Sequence, residues 1–165
     1  MQPGFVTGTP VEMGSVSEDA VAGVPVRRYV PLEASPGTVV FFHGGGWVIG
    51  DLDTHDLLAR ALAGATRRTV VSVAYRLAPE HAFPAAADDC IAVTKAIIAS
   101  GGGSVVVVGD SAGGNLAAVS ANACAEAGLN LVGQVRLVWS ARAGEAPQRP
   151  PAALPPIPCR YSSTP

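Results

Sequence analysis

Charge is scarce in this 165-residue chain. Asp, Glu, Lys and Arg make up 15% of it, against a usual ~25%. One lysine, Lys95, stands among ten arginines, and the formal net charge is −2. No basic face is expected, so nucleic acid is not an expected partner. The first cation is Arg27, which leaves no charged n-region for a signal peptide. No apolar run approaches ~18 residues, so no membrane span is expected. The three cysteines, Cys90, Cys124 and Cys159, match no zinc spacing and leave one unpaired, which makes a reduced, cytoplasmic setting the default. What is abundant is apolar: 48% of the residues, enough for one buried core at this length.

Three stretches differ in composition. Residues 1–24 are rich in Gly, Ser, Thr and Val and read as an irregular leader with room for one weak strand. Residues 25–139 alternate short β-branched runs with helical periodicity. Strands are expected at Val26–Val30, Thr38–Phe42, Thr69–Ala74, Ser104–Val108 and Leu131–Trp139. Helices are expected at Thr54–Ala65, with Thr54 as N-cap and Leu57, Leu58, Ala61 and Leu62 on one stripe, at Ala85–Ser100, and after Gly113 to about Ala127. This alternation implies an α/β fold with a mostly parallel sheet. Residues 140–165 hold seven of the fourteen prolines and show no period, so an extended or disordered tail is expected.

Two turns carry chemistry. Gly109-Asp110-Ser111-Ala112-Gly113 follows four valines and precedes an Ala-rich helix. This is the G-x-S-x-G pattern, in which small flanking residues let a strand turn abruptly into a helix and leave the serine hydroxyl exposed. The helix N-terminus behind it favours negative charge. A phosphate-binding turn is the alternative, but Asn115 stands where a Walker loop needs Lys. His43-Gly44-Gly45-Gly46, after the strand at 38–42, offers backbone N–H groups with no side chain in the way. Such donors can hold an oxyanion.

The segments FFHGGGWVIGDLDTHD, YRLAPEHAFPAAADD and GDSAGGNLAA, in that order, resemble the hormone-sensitive-lipase-like family of α/β-hydrolases, over roughly residues 25–139. The resemblance implies the N-terminal half of an α/β-hydrolase fold acting on small-molecule carboxylic esters without metal or organic cofactor. It implies Ser111 as nucleophile and the N–H groups of Gly44, Gly45, Gly46 and Ala112 as oxyanion donors, with Gly44 the weakest candidate. His43 and Asp110 are expected to support the loops. Arg76 and Glu80 are expected to form a buried brace, with Asp88 and Asp89 available to the 75–84 loop. His55 is expected to be exposed, and Trp47 either to line the acyl or alcohol pocket or simply to pack beside the glycine loop.

The same family needs an acid and a histidine after the serine. All three histidines here precede Ser111, and only Glu126 and Glu145 follow it as acids. The expectation is therefore a C-terminally truncated, poorly active chain, with a frameshift or early stop near 136–145. A non-catalytic ligand-binding relative of the hydrolases is the rival reading. A nucleotide-binding βαβ protein is a third.

Overall fold

The computed structural model describes residues 8–101 and 103–137. Six strands form one sheet in the order β1-β2-β4-β3-β5-β6. They are β1 (Met13–Val21), β2 (Val24–Pro31), β3 (Thr38–Phe42), β4 (Thr69–Val73), β5 (Val105–Asp110) and β6 (Gly133–Leu137). β4, β3, β5 and β6 run parallel; β2 is antiparallel to both β1 and β4. The helices are α1 (Asp56–Thr66), α2 (Ala85–Ala99) and α3 (Ala112–Glu126).

The central strands are β-branched because both of their faces are covered. Along β3 the side chains alternate between two cores. Val40 and Phe42 join Val71, Val93, Ile97, Val107 and Leu116 in the larger cluster. Val39 and Phe41 join Tyr29, Ala59, Ala63 and Val70 in the smaller one, beneath α1. Phe41 and Phe42 are fully buried, and truncating either to Ala costs on the order of 3–5 kcal/mol.

The stretch read as a leader contains β1, nine residues long and paired along its length with β2. Its side chains are largely exposed, which is why no apolar alternation announced it. Thr54 does not cap α1. The helix starts at Asp56, and the Thr54 hydroxyl closes a local turn, accepting the Asp51 N–H at 2.9 Å. The buried stripe of α1 is Ala59 and Ala63, with Leu58 and Leu62 only partly buried. The proline-rich tail expected at 140–165 lies outside the described residues, as do the last two residues of the expected strand at 131–139.

Parallel pairing brings the C-terminal ends of β3, β5 and β6 to one rim of the sheet. Phe42 is level with Gly109, and Asp110 with Leu137. The residues that follow β3 and β5 therefore meet.

Candidate active site

Ser111 sits at the corner between β5 and α3 with φ 50° and ψ −115°. A non-glycine residue in this region is strained by about 1–3 kcal/mol, and such strain persists only where the surroundings enforce it. Here they do. A Cβ on Gly109 would run into the backbone of Gly113 and Gly114, and one on Gly113 into the Phe42 and His43 carbonyls. Both positions must be glycine for α3 to press against the end of β3. The Ser111 N–H donates to the Leu137 carbonyl at 3.0 Å, so β6 holds the same corner. The Ser111 side chain makes no capping bond to α3, and the residue is exposed.

The loop after β3 turns through three successive left-handed residues, Gly45 (φ 120°), Gly46 (φ 63°) and Trp47 (φ 63°). The Gly45 carbonyl accepts the Val48 and Ile49 N–H groups at 3.2 and 3.0 Å, and the Trp47 carbonyl accepts Ala78 N–H at 2.8 Å. A Cβ on Gly45 would strike the Ile49 carbonyl, so the turn requires glycine for space as well as for φ.

Asp110 and His43 hold this loop from behind. Asp110 Oδ1 accepts the Gly44 N–H at 2.9 Å. That bond turns the Gly44 amide toward the carboxylate and removes it from the donors expected for an oxyanion. Gly45, Gly46 and Ala112 remain. His43 is buried, at 1% exposure. Its Nδ1 lies 2.8 Å from the Gly44 carbonyl, a contact that requires the proton on Nδ1. Burial pulls the His43 pKa below its ordinary value, opposed by the bond to Gly44. Tyr75 stacks on the His43 ring at 4.3 Å between centroids and donates its hydroxyl to the His43 carbonyl at 2.7 Å. Burial pushes the Tyr75 phenol up, so it stays a donor.

Two expectations fail at the loop's periphery. His55 is buried, at 2% exposure, with Nε2 3.7 Å from Asp110 Oδ2. The brace of the 75–84 loop joins Arg76 to Asp89 rather than to Glu80, which is exposed. Asp89 accepts the Arg76 backbone N–H at 2.9 Å and its guanidinium at 2.7 Å. Arg76 itself is half exposed, so the brace is a surface feature anchored on a buried carboxylate. Sequence reasoning also missed Tyr75. Its signal was an aromatic directly after a buried strand, level with the glycine loop.

A cavity of about 390 Å3 opens between the glycine loop and α3, lined by Gly46, Trp47, Phe83, Asn115, Leu116 and Val119 among others. Trp47 lines it, at 42% exposure, and Phe83 is 90% exposed. Among the described residues no helix is long and apolar enough to cross a membrane.

The similarities to known proteins run along the same segments. A family profile described as alpha/beta hydrolase fold matches residues 39–153. The chain is 44% identical over 126 residues to carboxylesterase NlhH of Mycobacterium tuberculosis, spanning 72% of this chain and 40% of that one. It is 38% identical over 122 residues to an arylesterase of Saccharolobus solfataricus, spanning 70% and 40%. Among solved structures, a hormone-sensitive lipase from a metagenome library superposes with a TM-score of 0.73 at 37% identity, over 78% of this chain and 44% of that one. A hyperthermophilic esterase of Pyrobaculum calidifontis does so with 0.70 at 38%, over 74% and 44%. The chain thus spans about 40% of the length of the curated relatives it matches.

Proposed function

The chain belongs to the α/β-hydrolase family, and on that premise we propose that it carries the nucleophile and the oxyanion donors of a carboxylic ester hydrolase. Ser111 Oγ attacks the ester carbonyl carbon while a base takes its proton. The carbonyl oxygen becomes an oxyanion, received by the N–H groups of Gly45, Gly46 and Ala112. Collapse breaks the bond to the alcohol, which leaves with the proton, and water releases the acyl group by the same route. Each donor is worth roughly 3–4 kcal/mol to the transition state. Asp110 and His43 keep the donor loop in place. Trp47 and the neighbouring cavity receive an apolar part of the ester.

The base and its acid are the parts this chain does not show. Of its three histidines, His43 gives Nδ1 to the Gly44 carbonyl, His55 faces Asp110, and His81 is exposed on the 75–84 loop. No histidine follows Ser111. In subtilisin, losing the histidine costs about 10⁶ in turnover, so the 165-residue chain alone is expected to show little or no esterase activity.

The observation that supports this reading best is the conformation of Ser111, strained at a corner that two obligatory glycines create. The experiment is labelling with a fluorophosphonate, the modified residue being located by mass spectrometry. Slow labelling at Ser111, absent from Ser111→Ala, is expected. Labelling elsewhere, or none at all, overturns the nucleophile assignment. Brisk turnover of a short-chain p-nitrophenyl ester that Ser111→Ala abolishes overturns the expectation of low activity. Ligand binding in the cavity without any reaction at Ser111 favours the non-catalytic reading.

A further inference from the structure

Behind the glycine loop lies a second histidine that the proposed reaction leaves unused. His55 precedes α1, on the connection that also carries the glycine loop and far in sequence from Asp110, and its ring is almost wholly buried. It sits 5.4 Å from the His43 ring and 6.1 Å from the Phe41 ring, centroid to centroid. Its Nδ1 is 3.1 Å from Thr54 Oγ1. Its Nε2 lies 3.7 Å from Asp110 Oδ2, beyond hydrogen-bond distance, while the other oxygen of that carboxylate takes the Gly44 N–H.

We propose that His55 is a positioning residue for the oxyanion loop: an Nε2–H facing Oδ2 across 3.7 Å favours, by charge–dipole attraction, the Asp110 rotamer that captures the Gly44 amide. The inference rests on the hydrolase reading for its catalytic meaning, but its geometry stands apart from it. A carboxylate between one amide and one imidazole has one oxygen for each. Thr54 suits the arrangement. When its hydroxyl donates to Nδ1, the proton of a neutral ring belongs on Nε2, where it faces Asp110. The alternative for that hydroxyl is the Asp51 carbonyl at 3.0 Å. A Cβ on Gly44 would collide with the same carboxylate, so the carboxylate fills the space between the two loops and a change in its rotamer moves Gly44. The order of transmission is His55, Asp110, Gly44, and then the free amides of Gly45 and Gly46. His55 is not among the residues that line the cavity, so its proposed route to the site runs through Asp110.

The test reads Gly44 directly, in the full 165-residue chain, by NMR-detected exchange of its amide with solvent, set against the β3 amides of Phe41 and Phe42. His55→Leu keeps the volume beside Phe41 and removes the donor. His55→Gln keeps a donor. In His55→Leu the exchange of Gly44 is expected to rise about tenfold relative to Phe41 and Phe42; in His55→Gln it is expected to stay within about twofold of wild type. Equal effects of the two variants on Gly44, or a rise in His55→Leu shared equally by all three amides, would mean plain packing and overturn the proposal. Should His55→Leu fail to melt cooperatively, the wild-type ring decides. A proton on His55 Nε2 in a nitrogen-resolved spectrum supports the assignment, and a bare Nε2 overturns it. Fluorophosphonate labelling of the same samples separates the two claims. A chain with Gly44 protected by His55 but Ser111 unlabelled loses the hydrolase reading and keeps the positioning residue. A labelled Ser111 with Gly44 indifferent to His55 does the reverse.

Discussion

Asp110 and Gly44, 66 residues apart, are joined by a 2.9 Å bond from the Gly44 amide to the carboxylate. The residue before Ser111 thus holds the first glycine of the loop after β3. Parallel pairing of β3 with β5 makes the reach short. The bond joins two separate glycine-rich turns, and it occupies the amide of one of three adjacent glycines.

Ser111→Gly tests the stored strain. Glycine tolerates the φ of 50° that serine does not. Relief of about 1 kcal/mol is expected, a rise of roughly 2–4 °C in Tm for a chain of this size. Labelling at residue 111 disappears in the same variant. A lower Tm would mean that the serine contributes a stabilising contact large enough to mask the strain.

Glycine substitutions should sort by the space around them. Gly113→Ala meets two backbone carbonyls that no side-chain rotation can clear, so a loss of about 3 kcal/mol or more is expected. Gly133→Ala meets nothing within 4 Å and has an ordinary φ, so a change within about 0.5 kcal/mol is expected. Urea denaturation of the two variants provides the comparison.

Tyr75→Phe removes one hydroxyl and keeps the ring stacked on His43. The buried His43 carbonyl then loses its 2.7 Å donor. A loss of about 1–2 kcal/mol is expected in urea denaturation. A larger loss would show that the hydroxyl also supports the His43 ring, whose Nδ1 is 3.3 Å away.

Acidity should weaken the fold through His43. Burial depresses its pKa in the folded state, so below the ordinary 6.5 the unfolded chain takes up the proton first. Its contribution is complete above about pH 6.5, drains as the pH falls, and stops draining below the depressed native value. The denaturation midpoint is expected to fall between about pH 7 and pH 5, and His43→Asn is expected to flatten that slope.

A second window opens at lower pH. Burial works against the Asp89 carboxylate, but the hydrogen bonds from Arg76 more than offset it, so Asp89 titrates below its ordinary 3.8. The brace is intact above that value and is lost as the pH falls through the depressed one. The wild type should lose stability between about pH 4 and pH 2 more steeply than Asp89→Asn. Equal slopes would mean that the half-exposed Arg76 contributes nothing measurable.

Much of this architecture could be read from the residues because local signals and tertiary demands agree. The run Thr38–Phe42 is β-branched and aromatic, and it is the strand buried on both faces. Gly109 and Gly113 flank Ser111 because the corner admits nothing larger. The misreadings fall where partners are distant in sequence. His55 looked like a helix-start residue facing water, yet 55, 59 and 63 lie at i, i+4 and i+8, the very stripe α1 buries. The stripe read from the sequence, Leu57, Leu58, Ala61 and Leu62, missed Ala59 and Ala63, the alanines that α1 buries against the sheet. Glu80 was paired with Arg76 by proximity along the chain, whereas α2 presents Asp89 from the other side of the loop.

The sheet's polarity divides the molecule into a working rim and a spare one. Backbone strain and close backbone packing gather where β3 and β5 end, so alterations there are expected to carry heavy penalties. At the opposite rim, Gly128 lies in open space on the connection from α3 into β6. A reporter group or an affinity handle spliced in at that point sits a full strand length from Ser111, and so offers an attachment site that leaves the reactive corner untouched.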